Sequence, residues 1–119
     1  FEQLEDNLKT FNREDVNLNE QEMATVAKVR EAINARMKNG CTGCAYCMPC
    51  PFGINIPKNF AIWNREAMYG DTVKAKNDYA TLNEAQAALC KKCGKCEKVC
   101  PQALPIREDL VRVAKDLGE

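Results

Sequence analysis

Histidine is absent from this chain of 119 residues. That excludes a Rieske-type iron site, a histidine-based catalytic triad and the histidine-ligated zinc of hydrolases. Long apolar runs are absent too: no stretch approaches the roughly 20 residues needed to span a bilayer. Net charge is missing, because 17 basic residues balance 17 acidic ones. Neither nucleic acid nor an anionic membrane is therefore favoured as the main partner. No segment alternates apolar and polar residues over the length of a strand. No secretory signal is expected from the opening Phe1-Glu-Gln-Leu-Glu, which is acidic and amphipathic. It also begins without Met, and the expectation is a piece of a longer protein.

Bulky apolar residues are scarce. Leu, Ile, Val and Phe together number 24, a thin supply for a core, so a staple of some kind is expected. The staple is legible in the cysteines. All eight fall in two runs, Cys41-Thr-Gly-Cys44-Ala-Tyr-Cys47-Met-Pro-Cys50-Pro51 and Cys90-Lys-Lys-Cys93-Gly-Lys-Cys96-Glu-Lys-Val-Cys100-Pro101. Eight cysteines in a small secreted chain would suggest disulfides. Here the tight clustering and the missing signal favour metal in a reducing, cytoplasmic setting.

The second run follows the spacing of bacterial iron–sulfur ligands, two, two and three residues apart with a closing proline. The first run is one residue shorter in its last spacer. A cubane cluster has four iron corners, each needing one soft anionic ligand, and thiolate is that ligand. Two-residue spacers let one loop curl around three corners. Small residues at Gly43, Ala45 and Gly94 let the backbone approach the sulfide atoms. In two-cluster ferredoxins the fourth cysteine ligates the other cluster. The expectation is therefore cluster I on Cys41, Cys44, Cys47 and Cys100, and cluster II on Cys90, Cys93, Cys96 and Cys50. The short spacer before Cys50 leaves a second possibility open, that Cys50 closes its own cluster. Zinc in two four-cysteine sites is the alternative cofactor, which would make the chain a zinc-stapled structural or interaction domain. Redox sensing through labile clusters is a third reading.

The rest reads as helix. Leu4, Leu8 and Phe11 have helical spacing, and a polar linker follows at 12–17. A second helix is expected at 19–38, with Asn19 and Glu22 as a capping box, Leu18 and Met23 as a hydrophobic staple, and Gly40 as its C′ residue. Met23, Val26, Ile33 and Met37 share one face of it. Pro57 fits the first turn of a helix closing at Gly70. Further helices are expected at 71–80, at 83–89 and from Leu104 to Leu117. The chain also repeats itself: Cys41, Cys44 and Cys47 match Cys90, Cys93 and Cys96, and beyond them Pro51, Ile54, Ile56 and Phe60 match Pro101, Leu104, Ile106 and Leu110. The fold class expected is all-α, with two Cys-rich loops in a pseudo-twofold repeat. Residues 1–18 would be a helical arm ending a preceding domain, and 19–119 the two-cluster domain.

The cysteine runs, with Gly53-Ile54-x-Ile56-Pro57 and Cys100-Pro101-Gln102, resemble the ferredoxin-like C-terminal domain of certain microbial aldo/keto reductases. The similarity covers roughly residues 41–110, and Glu2-Gln-Leu-Glu-Asp-Asn7-Leu8 resembles the end of that family's reductase barrel. The resemblance implies a helical module that carries electrons to or from a nicotinamide-dependent barrel in the same chain, with no catalytic residue in the module itself. Lys91, Lys92, Lys95 and Lys98 crowd the second run and offer a solvated face, a positive charge that favours cluster reduction, or a dock for an acidic redox partner. Trp63, the only indole, is expected in the core or at an interface rather than as an electron relay. Tyr46 and Met48 are expected over cluster I. Glu20, Glu22 and Glu31 read as helix surface.

Overall fold

In the computed structural model residues 1–13 and 17–118 are described, and no strand occurs among them. The helices are α1 (Glu2–Phe11), α2 (Glu20–Arg36), α3 (Ile56–Tyr69), α4 (Thr72–Ala80), α5 (Lys95–Lys98) and α6 (Ile106–Gly118). The all-α expectation therefore holds. The chain divides into two compact units, Phe1–Ala35 and Arg36–Glu119.

In the first unit neither helix has a buried residue. Leu4, Leu8, Phe11, Met23, Val26 and Ile33 are all exposed. The capping box is present in full. Asn19 Oδ1 accepts from the N–H groups of Gln21 and Glu22 at 2.9 and 3.0 Å, and Glu22 Oε2 accepts from Asn19 N–H at 2.9 Å. Part of the expected linker at 12–17 lies outside the described residues.

Helix α2 stops at Arg36, two residues before the expected end. Asn64 of α3 is the cause. Its Oδ1 accepts from the N–H groups of Lys38 and Asn39, and its Nδ2 donates to Asn39 O at 2.6 Å. Backbone groups that would continue the helix are taken by a side chain from elsewhere. Gly40 is not in the left-handed region, so the expected C′ role does not hold.

The core belongs to the second unit. Ile56, Phe60, Ile62 and Trp63 of α3 are buried with Ala75 and Tyr79 of α4 and with Ile106, Leu110, Val113 and Leu117 of α6. Each of the fully buried Ile, Phe, Leu and Val side chains contributes about 1.5–3 kcal/mol. Helix α3 is well bounded: Asn55 Oδ1 accepts from Lys58 N–H, Pro57 lies in the first turn, and Gly70 is left-handed at the end. Asp71 caps α4 through Lys74 N–H at 3.0 Å, and Arg65 of α3 pairs with Asp78 of α4. In the repeat Pro105 stands where Asn55 does and has no capping side chain. Glu97 substitutes for it: its Oε1 accepts from Arg107 N–H at 2.8 Å, placing a carboxylate at the positive end of α6.

Trp63 is only 3% exposed, as expected of a core residue. Its Nε1 donates to Asp116 Oδ2 at 2.7 Å, and Lys38 Nζ reaches the same oxygen at 2.8 Å. The Lys38 bond, and then the Trp63 bond, hold the Asp116 carboxyl below the usual carboxylate range. A lowered folded value stabilises the fold above about pH 4 and ceases to do so as pH falls through it.

The segment 83–89 is two short 3₁₀ turns, Asn83–Ala85 and Ala87–Leu89, not one α-helix. Gln86 is extended between them. Asn59 of α3 explains the break. Its Nδ2 donates to Ala85 O at 2.9 Å and its Oδ1 accepts from Ala87 N–H at 2.9 Å. A buried side chain again takes groups that a helix would have used.

Candidate metal centre

The two cysteine runs adopt matching backbones. Residues in the left-handed region fall at Gly43, Ala45 and Gly53 in the first repeat, and at Lys92, Gly94 and Ala103 in the second. These are equivalent positions. Glycine occupies only one member of each pair, so the loop shape imposes the conformation and the other member bears its strain, about 1–2 kcal/mol. Turns of this kind aim successive N–H groups into anion-binding concavities, iron–sulfur sites among them. One such bond is present: Lys92 N–H donates to Cys90 Sγ at 3.4 Å. Beyond each proline the match continues, with Gly53 N–H to Cys50 O at 3.0 Å and Ala103 N–H to Cys100 O at 3.1 Å.

The repeats part company in the last spacer. In the second run Glu97 and Lys98 belong to α5 and Val99 is its C-cap, a helical turn that was not anticipated from the sequence. In the first run, one residue shorter, the Met48-Pro49 peptide is cis.

Two cavities gather the sulfurs. One is lined by Cys41, Cys44, Cys47 and Cys100, with Ile56, Phe60, Leu104 and Ile106 as its apolar wall. The other is lined by Cys50, Cys90, Cys93 and Cys96, with Ile54, Ile56 and Leu110 behind them. Cys47 also reaches the wall of the second cavity, but its thiol feels Cys41, Cys44 and Cys100. In each case three sulfurs come from one run and the fourth from the other. Cys44 and Cys93, equivalent in the repeat, are the two exposed cysteines.

Tyr46 and Met48 line the second cavity, not the first as expected. After Cys47 the chain leaves the first cavity to deliver Cys50 to the second, and Met48 and Pro49 travel with it; Tyr46, one residue before Cys47, already lines the second cavity. Tyr46 is 69% exposed, so it covers little.

Polar braces that sequence reasoning missed set the approach to each run. Asp109 of α6 is buried, and its Oδ2 accepts from Asn39 Nδ2 at 2.6 Å. Asn39 Oδ1 in turn accepts from Cys41 N–H at 2.8 Å. The helix of the second repeat thus fixes the entrance to the first run. Asn59, at the equivalent place on α3, fixes the segment before Cys90. The pair lies at the repeat offset, and that register was the only signal in the sequence. Asp109→Ala should cost about 1–3 kcal/mol, the penalty for a buried amide left without its acceptor. It should loosen the first run before the second, and Asn59→Ala should do the reverse. Denaturation followed at the two centres separately by paramagnetic resonance checks both; equal damage at both centres would contradict the assignment.

The cavities suit a cubane better than a single ion. A tetrahedral zinc site holds its sulfurs 2.3 Å from the metal, hence roughly 3.8 Å apart. Among the described residues no group of three or more Cys, Asp or Glu is placed to hold one metal ion. Four soft donors around an apolar hollow, with left-handed turns beside them, match an inorganic cluster carried by thiolates. Burial pushes the Cys96 thiol up to about 11 and raises Cys47 as well. Both are protonated at neutral pH without a ligand, so loading releases protons.

This architecture defines an iron–sulfur protein of the two-cluster kind. A model of the 4Fe–4S dicluster domain family matches residues 40–104, more than half of the chain. The chain belongs to that family, and its cofactors are two 4Fe–4S clusters. No curated protein and no solved structure matches it. No helix among the described residues is long and apolar enough to cross a membrane.

Proposed function

We propose that the chain is an electron-transfer module whose eight thiolates are shared across the repeat. Cys41, Cys44, Cys47 and Cys100 hold one cluster, and Cys50, Cys90, Cys93 and Cys96 hold the other. The observation that carries this is the grouping of sulfurs in the two cavities, three from one run and one from the other. When bound, each cluster supplies one-electron redox chemistry. The residues around it do the remainder. Ile54, Ile56, Phe60 and Leu110 keep water from the inner faces, Asn39 and Asn59 fix where each run begins, and the crossed cysteines tie the two cavities together. Cys44 and Cys93 form the outer edges, where an electron can enter or leave.

The module serves a larger oxidoreductase in this reading, an aldo/keto reductase-type barrel in the same chain that uses a nicotinamide cofactor. The similarity of the cysteine runs and of Glu2–Leu8 to that family supports it. The module itself contributes no catalytic residue, and the reductase chemistry is the barrel's. The full-length protein, prepared anaerobically, should be brown and should bleach with dithionite, giving the resonance signals of reduced 4Fe–4S centres. Reduced nicotinamide with the barrel's substrate pair should then change the cluster oxidation state. A protein whose clusters respond to dithionite but never to the nicotinamide couple would remove the reductase part of the proposal alone.

A further inference from the structure

The two loops share one backbone but not one charge. Lys91, Lys92, Lys95 and Lys98 stand in the second run, where the equivalent positions of the first are Thr42, Gly43, Tyr46 and Pro49. The first run forms its cavity without a single charged residue in those places, so loop folding does not require the lysines. All four are exposed. None pairs with a carboxylate among the described residues. The sole acidic residue of the run, Glu97, is already neutralised by Arg107, with Nε and Nη2 at 2.8 and 2.7 Å from Oε2.

Lys91, Lys92 and Lys95 line the second cavity, and no acidic residue does. Beside them on its rim are exposed apolar side chains, Tyr46, Phe52 and Val99, at 69%, 46% and 52%. An apolar centre with a polar rim is the anatomy of a protein interface, and here the rim is made of lysines that no carboxylate among the described residues pairs with. Exposed Cys93 lies within it. We propose that the mouth of the second cavity is the docking surface for an acidic redox protein, and that electrons leave through this mouth in preference to the uncharged first one. The partner is a protein with an acidic rim around an apolar patch. The chain's zero net charge gives no general attraction for polyanions, whereas a local basic patch steers one complementary surface. This inference rests on the two-cluster reading.

The test uses one acceptor in two charge states: basic cytochrome c, and the same protein succinylated so that its lysines become carboxylates. Iron, sulfide and resonance measurements on the holoprotein come first and test the cluster reading by themselves. Dithionite-reduced holoprotein, freed of excess reductant, then passes one electron to each ferric haem in a stopped-flow experiment. The succinylated acceptor should react at least tenfold faster at low salt, the lower end of electrostatic steering, and the advantage should fall as salt is added. Replacing Lys91, Lys92, Lys95 and Lys98 by Gln should abolish it. Replacing Lys58, Lys74, Lys76 and Lys115 by Gln removes the same total charge from α3, α4 and α6 and should leave it. A loaded protein that shows no preference for the acidic acceptor, or an equal loss in both quadruple variants, overturns the proposal. Should the first variant fail to load, the wild-type preference and its salt dependence decide the matter.

Discussion

In the double variant Cys44→Ala/Cys100→Ala one 4Fe–4S centre should survive, and in Cys44→Ala/Cys50→Ala none should. The cavities explain why. Cys44 and Cys100 face the same hollow, so removing both spends the damage on one site and leaves Cys50, Cys90, Cys93 and Cys96 complete. Cys44 and Cys50 face different hollows, so each cluster loses a ligand. Ligation within each run would give the opposite result, because Cys44 and Cys50 would then share a site. Iron content distinguishes the cases without any assignment of spectra: about four irons per chain in the first variant and far fewer in the second. The surviving cluster still joins the two runs through Cys50, so the first variant should keep its helices.

Stripping both clusters should have the larger structural effect. The described core contains twelve buried apolar residues, and six of the eight cysteines pack partly buried against it. Without ligation these become small, weakly packed thiols around two hollows. Structural metal sites supply about 10–16 kcal/mol of apparent binding energy in zinc-finger peptides, and in such systems binding energy is folding energy. A whole domain of ordinary size has only about 5–15 kcal/mol to lose. The metal-free second unit should therefore show no cooperative melt and much of its helical circular dichroism should disappear. An apoprotein with the holoprotein's spectrum and a sharp thermal transition would show that the helices stand without the thiolate crossing.

What could be read from the sequence was whatever depends on near neighbours or on a strict repeat. The Asn19–Glu22 box, Pro57 in the first turn and the left-handed Gly70 are local chemistry, and each lies where its pattern predicts. The repeat paired Ile56 with Ile106 and Phe60 with Leu110, all four buried. What escaped was decided at a distance. Asn64 ends α2 from 25 residues or more away. Asn59 divides the expected helix at 83–89 into two turns. Asp109 reaches the first run through Asn39, 70 residues from it in the chain. A buried Asn or Asp on a helix looks like a surface residue until its partner is known. The place of Met48 was misjudged for a related reason: the path between Cys47 and Cys50 follows its destination, and spacing alone does not say which side of the loop it takes, nor on which side Tyr46 enters it.

The central claim is that eight thiolates hold two inorganic cubes. Iron and acid-labile sulfide, measured per chain on anaerobically prepared and reconstituted protein, test it most directly. About eight of each are predicted, four per cluster. A colourless protein with two zinc ions per chain and no sulfide, after reconstitution has been carried out, would contradict it.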